Sequence, residues 1–279
     1  MIAPKPRFSR LVRRQVQIEK SMNSEYIDFH CHLLAALDDG AADPVESLAM
    51  ARILAGFGFG TVHCTPHLIK GAFENPPDRV RRATQSLQRL LDEAGIELRL
   101  IPGTEHYLDE YLPEQVSGAL TVGSSRYLLL EAPFGSDGAR FPAMVAQLML
   151  RGLVPLVAHP ERCRAFLPSA RGIGLRGALS LLVGRRKAPD LEGSLLWSLK
   201  EAGCRFQGNL GSFAGVYGSE VRERALFFLR QGVYCCLGSD AHRSEHLAAM
   251  LSSGLEVVVA AVGEAAAREL LKGMKCEAH

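Results

Sequence analysis

The residues best able to do chemistry in this chain are histidines and carboxylates that follow short apolar runs. His30-Cys31-His32 closes one such run and is followed by Asp38-Asp39-Gly40. Other runs end in Thr65-Pro66-His67, Gly103-Thr104-Glu105, Glu131-Ala132-Pro133, His159-Pro160-Glu161-Arg162 and Ser239-Asp240-Ala241-His242. In an extended chain alternate side chains share a face, so His30 and His32 can converge on one ion while Cys31 points away. Neutral imidazole with carboxylate suits zinc, manganese and iron, and carboxylate favours the harder ions. Taken singly, each residue has a plainer explanation: a lone histidine near a strand end is more often a hydrogen-bonded structural residue, and a lone glutamate is usually solvated. Nine ligand-type residues at six strand ends, namely His30, His32, Asp39, His67, Glu105, Glu131, His159, Asp240 and His242, are harder to dismiss.

The charge count points to a substrate class. Asp39, Glu105, Glu131 and Asp240 supply four negative charges, and three divalent ions would leave such a site at +2. That surplus suits a phosphomonoester dianion. Metal-bound water can lose its proton near neutral pH and attack in line while neighbouring metals hold the oxygens. Arg162, three residues after His159, is placed either to grip a phosphoryl oxygen with its planar fork or to make a surface salt bridge.

Elements must bring these groups together. Strands are expected at Tyr26–His30, Thr61–Thr65, Glu97–Ile101, Tyr127–Glu131, Val154–Ala158, Arg205–Asn209 and Val233–Leu237. A helix is expected from Asp43-Pro44-Val45-Glu46, where Asp43 caps, Pro44 takes the first position and Glu46 can reach back. Asn75-Pro76-Pro77-Asp78 starts another, and Phe141–Arg151, Leu191–Ala202 and Ser219–Gln231 carry helical patterns. Seven strands mostly followed by helices predict a parallel sheet, open or closed into a barrel. In barrels the active groups gather at the C-terminal strand ends, where the polar residues above fall.

The bulk properties exclude several classes. The formal net charge of +2 gives no reason to expect a nucleic-acid partner. Lys5, Arg7, Arg10, Arg13, Arg14 and Lys20 make residues 1–25 a basic extension, read as a flexible solvated arm, and Met22 is an alternative start. That segment lacks the apolar stretch of a signal peptide, and no run is long enough to span a bilayer. The seven cysteines are odd in number and irregularly spaced, with no C-x-x-C pair, which argues against a disulfide framework or structural zinc. Free thiols fit a cytoplasmic location. Residues 26–279 are expected to form one domain.

At these residues the chain resembles the polymerase-and-histidinol-phosphatase (PHP) superfamily, most closely the bacterial capsule-type protein tyrosine phosphatases (CpsB/CapC/YwqE-like). The segments that carry the resemblance are Ile27-Asp28-Phe29-His30-Cys31-His32, Leu37-Asp38-Asp39-Gly40-Ala41, Thr65-Pro66-His67 and Lys70-Gly71-Ala72-Phe73-Glu74-Asn75-Pro76. Pro102-Gly103-Thr104-Glu105, Leu130-Glu131, Ala158-His159-Pro160-Glu161-Arg162, Asn209-Leu210-Gly211-Ser212 and Ser239-Asp240-Ala241-His242 complete it. The resemblance implies an α/β fold, a distorted (β/α)7 TIM-like barrel of PHP type. It implies two to three divalent metal ions, manganese first, with iron, zinc, cobalt or magnesium as alternatives. The ligands would be His30, His32, Asp39, His67, Glu105, Glu131, His159, Asp240 and His242, and the residues carrying turnover would include Arg162, His159, Asp240 and His242. The implied substrate is phosphotyrosine on a bacterial tyrosine kinase of capsule or exopolysaccharide assembly.

Some features depart from the family pattern. The basic extension is additional, and Leu167–Leu191 is enlarged, with Arg171, Arg176, Arg185, Arg186 and Lys187 making it a docking surface or a solvated loop. Only Arg243 follows His242 directly, which leaves a second phosphate clamp open. His63, His246 and His279 are expected to pack or face solvent, and His106 to pack or to line the entrance. Phe73 and Tyr107 are candidates to flank an aromatic substrate. A cysteine-thiolate phosphatase would need Cys-x5-Arg, but Cys64 is followed at that spacing by Lys70. The remaining alternatives are a phosphatase for a small monoester such as histidinol phosphate, and a non-catalytic kinase-binding regulator.

Overall fold

The computed structural model describes residues 25–116, 118–123, 125–167 and 191–273. Residues 1–24, the interior of the Leu167–Leu191 stretch, Cys276 and His279 lie outside the described residues.

The strands are β1 (Tyr26–Cys31), β2 (Phe59–Cys64), β3 (His67–Leu68), β4 (Arg99–Pro102), β5 (Glu105–Tyr107), β6 (Tyr127–Glu131), β7 (Val154–Ala158), β8 (Arg205–Asn209) and β9 (Cys236–Gly238). The helices are α1 (Pro44–Phe57), α2 (Pro77–Glu93), α3 (Leu112–Gln115), α4 (Phe141–Leu150), α5 (Leu195–Glu201), α6 (Leu210–Ala214), α7 (Ser219–Arg230), α8 (Leu247–Val262) and α9 (Glu264–Lys272). Every strand ladder is parallel.

Among the described residues the expected seven strands become nine because two of them break in mid-course. β2 stops at Thr65-Pro66 and resumes as β3, and β4 stops at Gly103-Thr104 and resumes as β5. Pro66 has no N–H to give a ladder, and its carbonyl instead accepts from Glu105 N at 3.1 Å. The breaks separate a β1-β2-β4 sheet from a β3-β5-β6-β7-β8-β9 sheet. β1 then meets β9, where Asp240 N donates to His30 O at 2.7 Å and His32 N to Ala241 O at 3.0 Å. The result is a distorted (β/α)7 TIM-like barrel.

Alternation along the strands divides the chemistry from the packing. Leu128 and Leu130 of β6, Val157 of β7, Phe206 of β8 and Leu237 of β9 join the large cluster shared with the helices. Leu129, Leu156, Ala158 and Cys236 form a separate interior cluster with Phe29 and Tyr127. Glu131 follows Leu129 by two residues, so it shares the interior face.

Several boundaries differ from expectation for local reasons. α5 starts at Leu195 rather than Leu191, because Gly193 turns at φ +78° and Ser194 caps the helix by accepting from Trp197 N. β4 starts late, since Ile96 N still donates back to Leu91 O at the end of α2. The last strand begins at Cys236, after Val233 N has bonded to Phe228 O in the turn leaving α7. Asp43 caps α1 as expected. Glu46 does not reach back; its carboxylate accepts from Ser244 N and Oγ, tying α1 to the segment after β9.

Candidate metal centre and active site

The first two histidines are fixed from behind. His30 Nδ1 lies 3.1 Å from Gln207 Oε1, and His32 Nδ1 lies 2.7 Å from Asp38 Oδ2. Each thus presents Nε2 to the interior, and the two Nε2 atoms are 3.0 Å apart. Asp38 also accepts from Gly40 N and His67 N, each at 2.9 Å, so one carboxylate organises the loop after β1 and the start of β3. Gly40 is required there, because a Cβ would collide with the backbone oxygen of His32. Asn75 donates to Leu37 O and His67 O at 2.8 Å, which ties the same loop to the start of α2. Asp28 accepts from Ser239 N at 2.8 Å and Ser239 Oγ at 2.6 Å, bracing β1 against the end of β9.

Glu105 stands at the centre. Its Oε2 is 3.0 Å from His30 Nε2, 3.3 Å from His32 Nε2 and 3.1 Å from His67 Nδ1. That oxygen is buried and accepts no hydrogen bond. Oε1 lies 3.2 Å from His159 Nε2. Asp240 Oδ1 is 3.3 Å from both His30 Nε2 and His32 Nε2, and 3.7 Å from His242 Nδ1. Glu131 Oε2 lies 3.7 Å from His67 Nδ1. Asp39 Oδ1 is 3.6 Å from His67 Nε2 and 3.3 Å from His242 Nε2. All nine residues singled out in the sequence therefore meet in one place.

They form four overlapping groups whose ligand atoms lie within 4.8 Å of one another. These are His32, Asp39, His67 and His242; His30, His159 and Asp240; His30, His32 and Glu105; and His67, Glu105 and Glu131. Imidazole and carboxylate atoms that converge in this way are a donor set that divalent cations fit. His159 and Asp240 also adopt positive φ, +32° and +51°, a conformation that costs a non-glycine residue about 1–3 kcal/mol.

The titration behaviour fits a crowded set of ligands. Burial resists ionisation of Glu105, yet the facing His30 and His67 hold it well below the usual carboxylate range. Burial also resists charging His30, but Glu105 and Asp240 lift it to about 9. Glu131 is pushed up to about 8 by burial and by the Glu105 charge. The more exposed Asp39 is drawn down to about 2 by its hydrogen bond with His242. His159 is pushed down to about 4 by burial.

Arg162 enters the same place. Its Nη1 donates to Asp240 Oδ2 at 2.9 Å, so its salt bridge is made with a site carboxylate and not at the surface. The same oxygen accepts from Asn209 Nδ2 at 2.8 Å and Tyr217 OH at 3.4 Å. Glu161, fully buried, accepts from Asn209 N at 3.2 Å and Tyr234 OH at 2.9 Å, and so anchors the end of β8 to the turn after β7.

Comparison with known proteins adds the family. The profile of "Capsular polysaccharide synthesis, CpsB/CapC" matches residues 26–173. The tyrosine-protein phosphatase YwqE of Bacillus subtilis is 32% identical over 218 residues, 77% of this chain and 77% of its own. This chain belongs to the CpsB/CapC family. The tyrosine-protein phosphatase CpsB of Streptococcus pneumoniae is 23% identical over 251 residues, 88% of this chain and 94% of its own. A solved structure from work on YwqE of B. subtilis and CpsB of S. pneumoniae, described as metal-dependent tyrosine phosphatases, superposes with a TM-score of 0.71 at 29% identity. That superposition covers 88% of this chain and 94% of the other.

Within this CpsB/CapC chain the sequence reading missed several supporting residues. Asp38 and Asp39 are indistinguishable in a D-D-G turn, yet Asp38 supports His32 and Asp39 faces His67 and His242. Gln207 and Asn209 alternate in a strand that is apolar at Phe206, and that pattern was the available signal for the polar end of β8. Phe134 and Tyr217, whose rings flank Arg162, carried none. Arg243 Nη1 donates to the backbone oxygens of Asp39 (2.7 Å), Gly40 and His242 (2.8 Å), latching the loops that bear Asp39 and His242.

Other side chains lie apart from the chemistry. Cys64 is buried, and burial drives its thiol upward, while Lys70 pairs with Glu114 at 3.4 Å. That is no thiolate-and-cation pair. His63 stacks on Phe29, His106 is fully buried, and His246 is exposed at the start of α8. Phe73 stacks on His67 at 5.7 Å. Cys31, Cys64, Cys163, Cys204 and Cys236 are free buried thiols. Among the described residues no helix is long and apolar enough to cross a membrane.

Proposed function

We propose that this chain is a metal-dependent protein tyrosine phosphatase acting on phosphotyrosine of a bacterial tyrosine kinase in capsule or exopolysaccharide assembly. The observation that carries the reading is Glu105 Oε2, which faces three imidazole nitrogens within 3.3 Å and accepts no hydrogen bond. A buried carboxylate oxygen in that position is best accounted for as a shared metal ligand. Membership of the CpsB/CapC family, with relatives named as tyrosine-protein phosphatases, supports the substrate.

His30, His32, Asp39, His67, Glu105, Glu131, His159, Asp240 and His242 would hold two to three divalent cations in this reading. Manganese is put first because the family resemblance implies it; the mixture of nitrogen and oxygen donors without thiolate also suits iron, zinc, cobalt or magnesium. Bound divalent ions supply Lewis-acid stabilisation of the phosphoryl oxygens and a water acidic enough to attack near neutral pH. Arg162 contributes a fixed cation. Asp240 occupies one corner of its fork, and the remaining in-plane donors serve a phosphoryl oxygen. Asn209 shares Asp240 Oδ2 with Arg162 and thereby keeps that carboxylate turned towards the histidines.

The test is a comparison of kcat/KM for a phosphotyrosyl peptide and histidinol phosphate, before and after chelation and manganese replacement. The expected result is loss of activity in excess chelator, recovery with manganese, preference for the peptide and indifference to thiol alkylation. Full activity in chelator with loss after alkylation would overturn the reading.

A further inference from the structure

The Arg162 guanidinium is flanked by two aromatic rings. Its Cζ lies 4.4 Å from the Phe134 ring centroid and 4.3 Å from that of Tyr217. The two rings differ in what else they do. Tyr217 is engaged through its hydroxyl with Asp240 at 3.4 Å and Asn209 at 3.5 Å. Phe134 has no polar handle, lies in the loop after β6, and is 44% exposed. Its ring is also 6.2 Å from that of His159, so this apolar surface borders the ligand cluster directly. Of the other aromatics, Phe73 stacks on His67 at 5.7 Å, and Tyr111, 38% exposed, carries the Lys70 ammonium over its ring at 3.9 Å; neither touches Arg162.

An exposed apolar ring beside the phosphoryl grip has a geometric consequence. Once Arg162 holds a phosphoryl oxygen, the ester oxygen and the first carbons of the leaving group lie within a few ångströms of the guanidinium. Phe134 is the exposed apolar surface nearest that position. Aromatic pairs prefer offset or edge-to-face packing and gain from it beyond simple burial.

We propose that Phe134 is a specificity-determining residue, the platform on which the aromatic ring of the leaving group rests, so that it selects aryl over alkyl phosphate esters. The proposal rests on the phosphatase reading above. In it Tyr217 positions Arg162 alone, whereas Phe134 both positions Arg162 and meets the substrate.

The test uses the full chain reconstituted with manganese. It compares kcat/KM for phenyl phosphate and ethyl phosphate, together with the inhibition constant of inorganic phosphate. Wild type, Phe134→Leu, Phe134→Trp and Tyr217→Leu are measured, with metal content and thermal midpoint as controls for folding. Phe134→Leu is expected to lower the aryl-to-alkyl ratio by about 3- to 10-fold, the size of one aromatic contact. Phe134→Trp should hold or raise that ratio, and it decides the matter if the leucine variant does not fold. Tyr217→Leu should weaken phosphate inhibition while leaving the ratio unchanged. A Phe134→Leu ratio equal to wild type, or a Phe134→Trp ratio well below it, overturns the platform and leaves the phosphatase reading standing. Wild-type protein that hydrolyses neither ester removes the phosphatase reading, and the platform with it.

Discussion

Glu105 and His106 are neighbours on β5, equally inaccessible to solvent, yet their surroundings are opposite. Glu105 pairs in register with Leu129 and faces the interior, where His30, His32, His67 and His159 converge on it. His106 pairs with Leu130 and faces the packing between strand and helices. Neither of its ring nitrogens has a hydrogen-bond partner, and burial pushes it down to about 4. Burial of a polar residue near a strand end is therefore no sign of chemistry. What distinguishes the two is the face of the strand, and hence whether other ligand atoms arrive at the same point.

Substitutions sharpen that contrast, beginning with its centre. Glu105→Ala should remove metal binding and reduce turnover by more than the about 10- to 100-fold typical of losing an outer-shell partner. Metal analysis with steady-state kinetics on the same preparation checks this, and near-wild-type metal content in the variant would break the comparison. Asp38→Asn comes next, because Asp38 orients His32 through a 2.7 Å contact. It should weaken metal affinity by about 10- to 100-fold without unfolding the chain, as read by competition with a metallochromic dye.

Acidity probes the same face. Glu131 at about 8 and His30 at about 9 both hold protons at pH 7 before metal arrives, and a ligand must give its proton up to bind. Affinity should therefore rise with pH by about tenfold per unit for each proton displaced, and level off above the higher value. Calorimetry in two buffers of different ionisation enthalpy would detect the released protons; a heat independent of buffer would contradict it. The smallest effect belongs to the other face. His106→Leu should leave turnover and metal content unchanged and the thermal midpoint no lower, since it removes an unpaired buried polar group. Loss of metal in that variant would show that the two faces are not separate.

Much of this was legible in the sequence, and the reason is periodicity. The polar residues that end β1, β6, β7 and β9 break apolar runs at positions that alternation sends to one face. His30 with His32, Glu131, His159, and Asp240 with His242 could be assigned that way. The breaks at Thr65-Pro66 and Gly103-Thr104 were not legible as breaks, because the ladder shifts there from one sheet to another and only tertiary pairing shows it. Supporting groups were harder for a related reason. Gln207 and Asn209 act through atoms far away in sequence, and nothing at Phe134 or Tyr217 announces an arginine between them. The latch that Arg243 makes on three backbone oxygens was equally hidden, since two of them belong to residues about two hundred positions earlier.

The most direct test of the central claim is an anomalous-scattering map from crystals of the full chain grown with manganese. Two or three peaks should appear among the nine residues, at least one within coordination distance of Glu105 Oε2, and none beside His106. A map with no peak near Glu105, or with manganese confined to the surface, would contradict it.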